Sequence, residues 1–67
     1  MKSASIALVS QTVGYRRPSD LARALKNIPN AIVDGDRVTA SALEQLAYRA
    51  KDQDRAERLL EAAISLD

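Results

Sequence analysis

A chain of 67 residues with neither cysteine nor histidine has to hold itself together by apolar packing alone. Disulfides and structural zinc, which stabilise many domains of this size, both require those side chains. So short a chain buries only about 60% of the surface that its unfolded form exposes. The packing material is thin as well. Apolar residues make up 46% of the sequence, but twelve of them are alanine, and no phenylalanine or tryptophan supplies a large buried area. One domain, residues 1–67, is therefore expected, with a core that gains from self-association or from a partner.

The same absences bear on chemistry. Histidine is the commonest general base and cysteine the most reactive nucleophile. Serines, lysines and carboxylates remain, but none stands in the spacing of a catalytic triad, a Walker loop or a paired-acid site. Two glycines cannot build a Gly-rich phosphate loop. The sequence points away from an enzyme, with no catalytic residue, metal-ligand set or cofactor expected. At the N-terminus the uninterrupted apolar run is only Ile6 to Val9, short of the roughly 7–15 residues of a signal-peptide core. Nothing approaches the roughly 18 apolar residues of a membrane span. A cytoplasmic protein without membrane attachment is the expectation.

Charge divides the chain. Residues 1–30 carry Lys2, Arg16, Arg17, Arg23 and Lys26 against Asp20, a net of +4, whereas residues 31–67 carry five basic and eight acidic side chains, a net of −3. A basic first part and an acidic second part, the latter mainly over residues 40–67, suggest a division of labour.

Periodicity points to an all-α fold. In residues 3–13, Ala4, Ala7 and Leu8 fit a helical face that Ser3 could cap. Ile6–Leu8 and Ala7–Val9 also alternate, which leaves a short strand open. Gly14 ends the segment. A second helix over 18–27 starts at Pro18, where the missing N–H costs nothing, with Asp20 in its first turn. Leu21, Ala24, Leu25 and Ile28 make its apolar stripe, and Asn27-Ile28-Pro29 ends it. Asp34-Gly35 between two apolar runs allows a short β-hairpin at 31–38 or a plain loop with a left-handed glycine. Ser41-x-x-Glu44 is a capping box opening a helix over 41–51. Its stripe is Leu43, Leu46, Ala47 and Ala50. The polar run Lys51 to Arg55 breaks that stripe, and Asp54-x-x-Glu57 offers a new cap for a helix over 55–66. Ala56, Leu59, Leu60, Ala63 and Ile64 form its face, with Leu60 expected in the core. One continuous helix through the break is the alternative.

Residues 9–26 have the layout of a helix-turn-helix: two short helices with a turn at glycine, and a small residue, Ser10, where the helices approach. The pattern Val-Gly-Tyr-x-x-x-Ser-x-Leu-Ala-Arg-Ala-Leu-Lys resembles the helix-turn-helix of AraC-type transcription regulators, with Leu21 and Leu25 where that family usually carries phenylalanine. Beyond Lys26 the likeness ends. The family's Gly-x-x-Pro is replaced by Ile28-Pro29-Asn30, and the chain is too short for its paired units. The resemblance implies a DNA-reading helix with Arg16, Arg17, Ser19, Asp20, Arg23 and Lys26 at candidate contact positions. Residues 42–67 resemble a single tetratricopeptide hairpin, with Ala56, Leu60 and Ala63 at its packing positions. One such unit cannot bury its face alone, so it implies a helical hairpin and not a repeat protein.

Two functional expectations follow. In the first, the chain is a small transcriptional regulator that binds double-stranded DNA through the 18–27 helix and forms a homodimer through the acidic hairpin. In the second, it is a helical adaptor or inhibitor of another protein, docking through Leu43, Leu46, Leu59, Leu60 and Ile64, with the arginines merely solvated. A ribbon-helix-helix arrangement, with Ser5–Ser10 as a paired strand, would also bind DNA.

Overall fold

A computed structural model of the chain describes residues 2–29, 31 and 35–66. Among these, the order is β1 (Ser3–Ser5), α1 (Ile6–Val13), α2 (Pro18–Leu25), β2 (Arg37–Thr39), α3 (Ala40–Arg49) and α4 (Gln53–Leu66). β1 and β2 pair antiparallel, with Ser3 opposite Thr39, Ala4 opposite Val38 and Ser5 opposite Arg37.

Each strand runs straight into a helix, and a hydroxyl marks each junction. Ser5 is extended and its Oγ accepts the Ala7 amide at 3.2 Å. Thr39 is extended too, and its Oγ1 accepts the Ala42 amide at 3.2 Å. Both satisfy amides that a helix start leaves without partners. The antiparallel pairing puts the two junctions at opposite ends of the ribbon, and strand–helix–helix occurs twice along the chain. Two three-residue strands would not persist alone. Here the Ile6 amide donates to the Asp36 carbonyl at 2.6 Å, the Arg37 guanidinium donates to the Ser3 carbonyl at 2.8 Å, and Val38 is buried against the helices.

Every helix contributes to one core. Val13 from α1, Leu21 and Leu25 from α2, Leu43 from α3 and Leu59 from α4 are fully buried, with Val38 of β2 among them. α1 ends at Gly14, whose φ of +88° lets its amide and that of Tyr15 turn back to the Ser10 carbonyl. Ser10 is buried beneath this turn, its hydroxyl donating to the Ala7 carbonyl at 2.9 Å. α3 and α4 form a hairpin, parted at Ala50–Asp52 by the polar run.

Several expectations need correction. The fold is mostly helical but not all-α, because a two-stranded sheet joins the two halves. Ser3 belongs to that sheet, so Ser5, not Ser3, caps α1. With 6–13 helical, Ser5–Ser10 is not the paired strand; the strand that pairs is Ser3–Ser5. Of the 31–38 hairpin, residues 32–34 lie outside the described residues, while Arg37 and Val38 pair with β1. Ser41 does not open α3. Thr39 does, because the strand leaves it extended at the helix start, and Ser41 Oγ instead accepts from Gln45 Nε2. Asp52, not Asp54, opens α4, its carboxylate accepting the Asp54 amide at 3.0 Å and its carbonyl the Ala56 amide at 2.9 Å. Leu60 is only half-buried; the neighbouring Leu59 holds the core position.

Candidate nucleic-acid interface

α2 is amphipathic in a way that separates its two roles. Leu21 and Leu25 face the core. At about 100° per residue, Arg23 lies about 200° around from Leu21, and Ser19, Arg23 and Lys26 are exposed. Arg16 and Arg17, just before the first helical residue, are exposed as well. All six residues singled out from sequence thus come together around α2 and the turn before it. Among the described residues, Arg16, Arg23 and Lys26 form no salt bridge.

Asp20 is the one acidic member. Arg17 Nη2 approaches its Oδ1 at 3.2 Å, and Arg17 Nε donates to Oδ2 at 3.5 Å. The hydrogen bond from Arg17 is the main cause that holds the Asp20 carboxyl below its usual value, with the charges of Arg17 and Arg23 adding to it against an opposing desolvation. Asp20 therefore remains ionised through the neutral range. The pair is exposed, so its worth to stability is small. Its consequence is positional: it orients Arg17 along the first turn of α2. Arg16, Arg17 and Asp20 line a shallow depression there.

Two further cations reach this region from far along the chain. Arg55 Nη2 donates to the Gly14 carbonyl at 3.2 Å, and its guanidinium lies 4.3 Å from the centre of the Tyr15 ring. Arg58 packs beside Gly14 and pairs with Asp54 at 3.2 Å. Burial pushes the Tyr15 hydroxyl's pKa up, and the Arg55 charge pulls against that rise. Neither arginine was singled out from sequence. Both belong to the half with net negative charge, and the Gly14 turn they pack on is about forty residues away. The available signal was their i, i+3 spacing beside the apolar stripe of α4.

The docking set divides differently. Leu43, Leu46 and Leu59 are buried in the chain's own core and offer no surface to a partner. Leu60 is half-buried and Ile64 is 75% exposed, flanking a groove between α3 and α4 with Ser41 and Glu44 at its edge. On the other side of α4, Leu8 of α1 is 61% exposed beside Leu66. No helix among the described residues is long and apolar enough to cross a membrane. No protein-family model matches the chain, and neither a curated protein nor a solved structure shows significant similarity to it.

Proposed function

We propose that this chain is a small double-stranded-DNA-binding protein acting in transcription regulation, with α1, the Gly14 turn and α2 as a helix-turn-helix. The observation that carries this is the exposed stripe of Arg16, Ser19, Arg23 and Lys26 opposite a core-facing Leu21 and Leu25. An eight-residue helix is about 12 Å long, close to the width of the major groove. Entering N-terminus first, it brings Arg16 and Arg17 to the groove edge, where phosphates lie, and Ser19, Asp20 and Arg23 toward base edges. Lys26, at the far end, suits a phosphate on the opposite side.

The test is selection of bound fragments from a random duplex pool, then fluorescence anisotropy across salt for the wild type, Arg17→Ala and Arg23→Ala. Loss of a phosphate contact should weaken binding on all sequences and flatten the salt slope by about one; loss of a base contact should cost about 1–3 kcal/mol at one position. A wild type without sequence preference, matched by both variants, would sink the reading.

Size argues for two copies at the site. The longest dimension of the chain is 28 Å, less than the roughly 34–36 Å between successive half-sites on one face of DNA. A homodimer joined through Leu60 and Ile64 of α4 would supply both half-sites and cover the exposed Ile64. Sedimentation equilibrium at micromolar concentration should then show a dimer that Ile64→Asp converts to a folded monomer. A wild type that is already monomeric there would remove the dimer from the proposal.

The exposed Leu8 and Ile64 on either side of α4 favour a second reading, an interaction module that docks on another protein through this helix. It predicts that Arg17→Ala and Arg23→Ala leave partner binding intact and that Ile64→Asp abolishes it.

A further inference from the structure

We infer that Arg55 and Arg58, on the first two turns of α4, form a second phosphodiester-binding site that grips the DNA backbone beside the groove entered by α2. The assignment rests on the proposed duplex binding by α2 and adds to it a contact from the acidic half of the chain.

When a helix lies in the major groove, the turn leading into it and whatever packs on that turn stand over the flanking row of phosphates. Here the packing element is the start of α4. Arg55 holds the turn from one side, bonded to the Gly14 carbonyl and stacked on Tyr15. Arg58, one helical turn on, lies against Gly14, two residues before Arg16, and its side chain is half exposed. Its bond to Asp54 is an exposed i, i+4 pair. Such pairs are worth little, so exchanging that carboxylate for a phosphate oxygen is easy. Arg58 also has acidic neighbours on its own helix. At about 100° per residue, Glu61 and Glu57 lie about 60° and 100° around from it, on the flank away from Arg55 and the Gly14 turn, so it is the Arg55 flank that is open to a phosphate. The α1–α2 turn thus carries four guanidinium groups, those of Arg16, Arg17, Arg55 and Arg58, with Asp20 and Asp54 as their paired carboxylates. Arg55 already has two partners in the fold, so it positions the turn as well as adding charge. Arg58, held only by its exposed pair with Asp54, is the contact that can pass to a phosphate.

The measurement is anisotropy of a labelled mixed-sequence duplex across salt, for wild type, Arg58→Gln and Arg58→Lys, with circular-dichroism melting to confirm folding. One phosphate contact contributes about 0.9 to the salt slope, roughly a 3.5-fold change in affinity between about 50 and about 200 mM salt. Arg58→Gln should lose that increment equally on every sequence while melting like the wild type, and Arg58→Lys should keep it. An unchanged slope in Arg58→Gln, with wild-type and Arg23→Ala behaviour as proposed, overturns the α4 contact and leaves the α2 reading standing. Arg58→Lys falling with Arg58→Gln also overturns it, since charge would then not be what matters. A wild type that binds no duplex at all removes the α2 reading and this site with it.

Discussion

Leu59→Ala is expected to cost about 2–5 kcal/mol, the range for removing a large side chain from a packed core. Leu59 has 0% exposure and belongs to the buried cluster that also holds Val13, Leu21, Leu25, Leu43 and Leu46. Truncation leaves a void that an Ala-rich neighbourhood cannot fill, because alanine has no rotamer with which to move into it. Total stability sets the scale. At roughly 0.05–0.15 kcal/mol per residue, a chain of this length has about 3–10 kcal/mol to lose. Leu59→Ala should therefore remove a large part of the total stability. Urea titration reads this as a lowered midpoint at unchanged slope. Leu60→Ala is the comparison, since Leu60 is half-buried one residue further on. A clearly smaller loss is expected there. Equal losses at the two positions would mean that α4 is rotated from the orientation described.

That one-residue distinction shows what could be read in advance. Leu59-Leu60 offers two adjacent leucines, and the stripe of Ala56 and Ala63 is compatible with either as the centre. Only the partner helices decide, and they select Leu59. α2 was the most legible element because its signals are local: Pro18 and Asp20 at the start, Leu21 and Leu25 on one face, Asn27-Ile28-Pro29 after the end. The turn at Gly14 was equally local. β1 was not. Ser-Ala-Ser has no strand signature of its own, and its pairing partner lies more than thirty residues on. Missing that pairing also displaced the start of α3. The Ser41-Glu44 pattern is a sound local cap, but the register of β2 delivers an extended Thr39 to the helix two residues earlier. For the candidate site, the six residues around α2 are the ones that the resemblance of residues 9–26 to AraC-type regulators implies. Arg55 and Arg58 were not legible, because halving the chain by net charge assigns them to the acidic side, whereas the fold lays them on the basic one.

Gly14→Val is expected to be the most damaging single change outside the core, and its cause can be separated into two parts. The backbone at Gly14 has φ +88°, a left-handed conformation in which a side chain costs about 1–3 kcal/mol, with a β-branched residue at the upper end. A Cβ there would also come to 2.9 Å from Arg58 Nη1. That second part is the weaker, since the clashing atom is the end of a long, half-exposed side chain that can swing aside. The backbone part should therefore dominate. With about 4–8 °C of melting temperature per kcal/mol for a domain of this size, Gly14→Val should melt at least several degrees below the wild type. Gly14→Asn carries the same Cβ but tolerates the left-handed region, so it should recover most of the loss. Adding Arg58→Gln should rescue Gly14→Val little, leaving a small coupling in the double-mutant cycle. Full rescue by Arg58→Gln would show instead that the contact of α4 with the turn is rigid, and that Arg58 is clamped in place before any DNA arrives. If Arg58 is mobile, as argued, Gly14→Asn should keep its fold and bind duplex with a salt slope close to that of the wild type and not of Arg58→Gln, because a guanidinium that swings aside from Gly14 stays free to reach the phosphates beside α2.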